Sequence, residues 1–157
     1  MKKKNIDIEI INYSKDLKEY VKLLNYEWLE KYFKVEEGDV KSLSNPEEEI
    51  IDKGGFIFYA KLNNQVVGTV SLLKKDENTF ELSKMAVSDK AKEVGIGTLL
   101  LEHTLEFTRK QKIKRLILYS NTRLEAAIHM YKKYGFYEIE LESGIYERAD
   151  IKMEKLI

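Results

Sequence analysis

From Ile6 through Asp7, Ile8, Glu9 and Ile10, apolar and charged residues alternate, the period of a strand with one face buried. After Ser14 the period lengthens: Leu17, Tyr20, Val21, Leu24 and Trp28 recur every three or four residues, which predicts a helix capped near Ser14 and reaching toward Tyr32 and Phe33. Asn45, Pro46, Glu47 and Glu48 combine a capping residue, a proline and two acids in a first turn, and Gly54-Gly55 ends the short helix they predict. Phe56–Leu62 and residues 66–73 are β-branched or aromatic runs split by Asn63-Asn64, a hairpin signal, and a polar turn at 74–78 leads to a third run at 80–87.

Beyond Gly95 and Gly97, the residues Ile96, Leu99, Leu100, Leu105 and Phe107 mark a long amphipathic helix ending near Lys112. Arg115–Ser120 then reads as a strand, 124–134 as a helix stopped by Gly135, and 136–141 and Ile151–Leu156 as closing strands. The strand–helix–strand unit from Phe80 to Ser120 requires a right-handed crossover between two parallel strands. A phosphate site at the head of its helix is structurally sensible. No repeat or low-complexity linker interrupts the order, and the length suits one core, so residues 1–157 read as a single domain.

Composition narrows the chemistry. The chain has no cysteine, which excludes disulfides, thiolate metal sites and cysteine nucleophiles. Lys plus Arg and Asp plus Glu both number 27, so no overall field draws the chain toward nucleic acid or anionic lipid. No apolar run is long enough to span a bilayer, and Lys2-Lys3-Lys4 is followed by no apolar stretch or cleavage site, so the expected location is the cytoplasm. His103 and His129 fall in helices without ligand spacing, so no metal is expected.

Gly95-Ile96-Gly97 sits between a predicted strand and a predicted helix, where glycine permits unusual torsions and the free amides of the helix head favour a phosphate. A plain strand-to-helix turn has the same glycines. A dinucleotide fingerprint would need a third glycine at Leu100, and a P-loop would need Gly-Lys-Ser/Thr; neither is present.

The stretch from Leu82 to Phe136 resembles the GNAT superfamily of N-acetyltransferases. Their hallmark is a strand ending in a small-apolar pair, then Arg/Gln-x-x-Gly-x-Gly/Ala opening a helix, a further strand, and a helix with Ala-x-x-x-Tyr closing in Gly-Phe. Here these are Ala86-Val87, Lys92-Glu93-Val94-Gly95-Ile96-Gly97, Ala127 to Tyr131, and Gly135-Phe136. The resemblance implies an α/β fold, α+β in some schemes: a mixed, mostly antiparallel sheet of about seven strands flanked by about four helices. A splayed parallel strand pair would bind acetyl-coenzyme A, which serves as co-substrate. Met85, Ala86 and Val87 would then lend backbone hydrogen bonds to the pantetheine arm, and the amides from Glu93 through Val94, Gly95, Ile96 and Gly97 to Thr98 would hold the pyrophosphate.

The implied reaction is acetyl transfer to a primary amine, on a small molecule or a peptide, by direct attack in a ternary complex. An alkyl amine, with a reference pKa of about 10.4, must lose a proton, and a thiolate leaving group of about 8.5 must gain one. Glu81 takes the family's base position and Tyr131 its acid position. Lys92 replaces the usual Arg or Gln, and Glu93 replaces a frequent glycine, placing a carboxylate near the phosphates. Leu124 stands where an asparagine is frequent, and Asn121 is the residue assigned the cofactor contact instead. A module that keeps the fold and only senses coenzyme A is the alternative.

Glu81 read on its own is equally a solvated strand carboxylate, and Tyr131 a core aromatic. Trp28, Tyr32 and Phe33 either line the acceptor pocket or pack in the core, and the helical spacing of Trp28 and Tyr32 favours packing. The polar stretch 142–150 is a further candidate for the pocket. A homodimer is compatible with the sequence, which does not specify one.

Overall fold

A computed structural model describes residues 7–157, apart from the side chains of Lys92 and Glu93; Ile6 and the lysines at 2–4 also lie outside the described residues. The elements are β1 (Ile8–Asn12), α1 (Lys18–Tyr32), α2 (Glu37–Ser44), β2 (Phe56–Leu62), β3 (Gln65–Lys74), β4 (Thr79–Val87), α3 (Ile96–Lys110), β5 (Arg115–Ser120), α4 (Glu125–Lys133), β6 (Tyr137–Ile139) and β7 (Ile151–Leu156). They build one seven-stranded sheet in the order β1-β2-β3-β4-β5-β7-β6. Every neighbouring pair is antiparallel except β4 with β5. This is the mixed, mostly antiparallel sheet with four helices that the resemblance implies.

Alternation along β2 shows why the sheet is covered on both faces. Phe58 and Ala60 point into a core with Ile96, Leu100, Leu101 and Leu105 of α3, and α4 adds Ile128 and Tyr131 to that side. Ile57 and Tyr59 point the other way, into a second core with Val21 and Leu29 of α1 and Leu43 of α2. Each fully buried aliphatic side chain in these cores contributes about 1.5–3 kcal/mol of transfer free energy. Gly68 of β3 lets α3 approach closely, since a Cβ there would lie 2.8 Å from Ile96 Cγ2 and 3.1 Å from Leu100 Cδ1. The head of α3 is thereby pressed onto the sheet beside the end of β4.

The Asn63-Asn64 hairpin is present, and both residues have the positive φ (50° and 69°) of a tight type I′ turn. Two local expectations change. Ser14 is extended and its side chain caps nothing; a 3₁₀ turn at Lys15–Leu17 leads into α1 instead. The helix expected from Asn45 to Gly54 is a π turn, Glu47–Ile51, and Asn45 instead ends the preceding helix, α2, which periodicity did not predict. In α2 the Glu36 side chain caps the first turn while the Asp39 carboxylate accepts from Glu36 N at 2.9 Å, a reciprocal capping box. The strand expected at 136–141 is confined to Tyr137–Ile139.

Two irregularities in β4 create the opening for a site. Ala86 faces Thr69 while Ser83 faces Ser71, so one extra residue of β4 bulges opposite Val70, and Lys84 takes φ +54° there. Parallel pairing of β4 with β5 covers only Thr79–Arg115, Phe80–Leu116 and Glu81–Ile117, after which the strands part.

Candidate active site

A cavity of about 460 Å³ opens where β4 and β5 separate. One end lies between the start of α3 and the middle of α4, against Gly95, Gly97, Thr98, Ala127, Met130 and Tyr131; the other lies under α1 and α2, against Asn25, Trp28, Phe33, Asp39 and Leu43. Glu81, Met85, Val87, Tyr119, Tyr146 and Arg148 line the passage. The structure therefore gathers the expected residues Glu81, Met85, Val87, Gly95, Gly97, Thr98, Asn121 and Tyr131 around one space.

At the α3 end, Gly95 has φ +78° and precedes the first helical turn, whose amides have no partner one turn earlier. Among the described residues, chain neighbours and the helix's own backbone aside, no atom lies within 4 Å of a Cβ built on Gly95, and only Val87 Cγ2, at 4.0 Å, approaches one on Gly97. The turn is a cradle open to a ligand, with helix-head amides and a dipole suited to phosphate. Ile96 and Ala86 are buried, at 0% and 2% exposure, so their side chains belong to the core and their backbone alone is available to a ligand. Val94 also packs on the core. The side chains of Lys92 and Glu93, both expected at this turn, lie outside the described residues.

Tyr131 packs edge-on against Phe136 with ring centroids 5.7 Å apart, while desolvation pushes its phenol up to about 12. It stays protonated throughout the physiological range and can donate. Asn121 lines the cavity, but both polar ends of its side chain hold the chain itself: Nδ2 donates to Arg148 O at 2.8 Å and Oδ1 accepts from Arg123 N at 2.9 Å. Those two bonds fix its orientation and leave the second Nδ2 hydrogen and the second Oδ1 lone pair for a ligand.

Glu81 is 1% exposed. Its Oε2 accepts from the Tyr146 hydroxyl at 2.8 Å, and Lys75 Nζ stands 3.0 Å from Oε1 without making an aligned hydrogen bond, so Oε1 keeps acceptor capacity. The solvated-strand reading of Glu81 is thereby excluded. Tyr146 is raised well above an ordinary phenol, first by burial and then by the Glu81 charge. It packs edge-on against Tyr119 at 5.4 Å, and the Arg148 guanidinium lies 5.3 Å from its ring centre.

Arg148 locks this wall. It donates to Glu36 at 2.6 Å and to both oxygens of Asp39 at 2.8 and 3.0 Å, tying the coil before β7 to the start of α2. Tyr146, Arg148 and Asp39 were not singled out from the sequence. The one signal for Tyr146 and Arg148 was the polar stretch 142–150, and Asp39 had none.

Trp28 and Phe33 both pack and line the pocket, their rings 5.4 Å apart, whereas Tyr32 is 38% exposed. His103 packs against Phe58 at 4.7 Å. Among the described residues no group of three or more His, Cys, Asp or Glu side chains is placed to hold a metal ion, and no helix is long and apolar enough to cross a membrane.

The raised tyrosines predict a pH dependence of stability. Burial and a hydrogen bond to Glu47 push Tyr13 up to about 12, and Tyr131 reaches the same value. A folded-state pKa above the unfolded value of about 10 stabilises the fold below pH 10 and is lost as pH rises through the window from 10 to 12. The melting temperature, followed by circular dichroism, is expected to fall steeply only above pH 10.

A splayed parallel pair inside an otherwise antiparallel sheet, with a glycine-opened helix head at its mouth, is the arrangement of one acetyltransferase class, and the family model "Acetyltransferase (GNAT) family" matches residues 21–136. The chain belongs to the GNAT acetyltransferase family. It is 29% identical over 105 residues to streptothricin acetyltransferase A of Bacillus subtilis (strain 168), a match covering 67% of this chain and 58% of that protein, so the chain spans less than two thirds of that relative's length. A GNAT-family acetyltransferase from Staphylococcus aureus MU50 matches with a TM-score of 0.85 at 25% identity, over 96% of this chain and 99% of that one. The Paia N-acetyltransferase from Thermoplasma acidophilum, solved in complex with coenzyme A, shares the fold with a TM-score of 0.74 at 21% identity, over 96% and 99% of the two chains.

Proposed function

We propose that the chain, as a single domain, is an N-acyltransferase that moves the acetyl group of acetyl-coenzyme A to a primary amine by direct attack in a ternary complex. The observation that carries this reading is the continuous cavity from the Gly95 cradle, through the gap between β4 and β5, to Tyr131 and Glu81. The coenzyme A in the related Thermoplasma protein gives the donor class its support.

Glu81, with Oε1 free to accept, takes the proton of the attacking amine directly or through one water. Beyond the last β4–β5 pair, those backbone amides among Met85, Ala86 and Val87 that are not turned to β3 supply hydrogen bonds where the acyl oxygen gains charge. Tyr131, protonated at working pH, gives its proton to the departing thiolate. Turnover leaves an amide and free coenzyme A thiol, with the amine's proton balancing the one Tyr131 supplied. The acceptor enters from the side of α1 and α2, where Trp28, Phe33 and Tyr119 offer apolar surface.

Calorimetry with acetyl-coenzyme A, followed by thiol release across a panel of amines, tests the reading. Tyr131→Phe is expected to lower kcat by about 10²-fold while leaving cofactor affinity within about twofold, since it removes a proton donor and keeps the ring. Unchanged turnover removes Tyr131 from the mechanism. Tight cofactor binding with no acetylation of any amine supports the sensing module instead.

A further inference from the structure

Charge at the acceptor end is nearly all matched within the protein. Lys75 stands beside Glu81, and Arg148 holds Glu36 and Asp39. Lys84 does not fit this pattern. It lines the cavity and also a neighbouring hollow of about 370 Å³, the two sharing Asp39, Lys84 and Tyr146 as a common wall. Among the described residues no side chain hydrogen-bonds to its ammonium or lies within ion-pair distance of it. Burial holds its pKa below the ordinary lysine value, against a weaker pull from Asp39 and Glu81.

The backbone gives a second, independent observation. Lys84 occupies the bulge with φ +54°, a conformation that costs a non-glycine residue about 1–2 kcal/mol. Glycine or asparagine would sit there with less strain. A long cation held in a strained, partly desolvated position and left without a partner is a group waiting for an anion.

Resting on the acyl-transfer reading above, we propose that Lys84 selects acceptors that carry a carboxylate beside the reacting amine, as an amino acid does. Glu81 and Lys84 lie three residues apart on one strand, so a small molecule can present its amine to the first and its carboxylate to the second. The ion pair forms in a partly desolvated site, where a charge-assisted hydrogen bond is strongest. A plain monoamine or an amide leaves the ammonium partly desolvated and unmatched.

Matched acceptors test this: amino acids, their carboxamides and the corresponding decarboxylated amines, compared by kcat/KM in the full chain. The wild type is expected to favour the acids by about tenfold or more, a charge-assisted bond's share. Lys84→Asn, which suits positive φ and removes the charge, is expected to abolish that preference, with acetyl-coenzyme A affinity and melting temperature retained. Lys84→Glu is expected to reverse it toward diamines. Equal turnover of acids and amides by the wild type, or a preference that survives Lys84→Asn, overturns the assignment while leaving acyl transfer intact. Failure to acetylate any amine defeats the acyl-transfer reading itself and this inference with it.

Discussion

Glu81→Gln is expected to lower kcat by about 10²- to 10⁴-fold, or roughly 3–5 kcal/mol of transition-state stabilisation, with cofactor affinity nearly unchanged. The substitution keeps the shape of the side chain and one carbonyl oxygen, so the Tyr146 hydroxyl, now 2.8 Å from Oε2, retains an acceptor. What disappears is the capacity to bind the amine's proton. Lys75, 3.0 Å from Oε1, loses its counterion at the same time, but its side chain is 42% exposed and water can solvate it. The fold should therefore survive, and thiol-release kinetics report the chemical defect alone. A variant that turns over like the wild type would show that the amine's proton leaves by another route.

Arg148→Met is expected to cost about 2–4 kcal/mol of stability, somewhat less than a fully buried pair because the arginine side chain is 20% exposed. Asp39, at 4% side-chain exposure, would be left charged and unpaired at the cavity wall. For a chain of this size the melting temperature should drop by roughly 5–15 °C, measurable by calorimetry. Arg148→Met combined with Asp39→Asn should recover part of the loss, because the stranded charge is removed. The acceptor KM should rise in the single variant, since Tyr146 loses the guanidinium against its ring while Tyr131 and the Gly95 turn are untouched.

Strands and the long helices were legible because their apolar residues repeat with a clear period: Phe56–Leu62, Arg115–Ser120 and Ile151–Leu156 fall where alternation and β-branched runs place them. Helix α2 was not, because Glu37–Ser44 offers only Val40 and Leu43 as apolar residues; its start is set by the Glu36–Asp39 capping box and by Arg148, more than a hundred residues away in sequence. The bulge was also hidden. Ser83-Lys84-Met85 contains no glycine or asparagine to announce a positive φ. Glu81 and Tyr131 were reached through family resemblance, whereas Tyr146 and Arg148 are recognisable only once the coil before β7 is seen folded against α2, and Lys84 only once the bulge in β4 is seen. Side chains supplied by irregular segments carry no period to read.

The extra residue at the bulge also splits β4 into two half-strands of opposite phase. Phe80 and Leu82 turn toward the core under α3, and without an insertion Met85 and Val87 would turn away from it; instead they pack on that same core. Glu81 and Ser83 therefore lie on the face turned away from α3, while Met85 and Val87, two and four positions further on, pack toward it. Deleting Lys84 would remove the extra residue and leave Met85 and Val87 on the core face by plain alternation, closing the kink at the cavity while keeping the hydrophobic pattern.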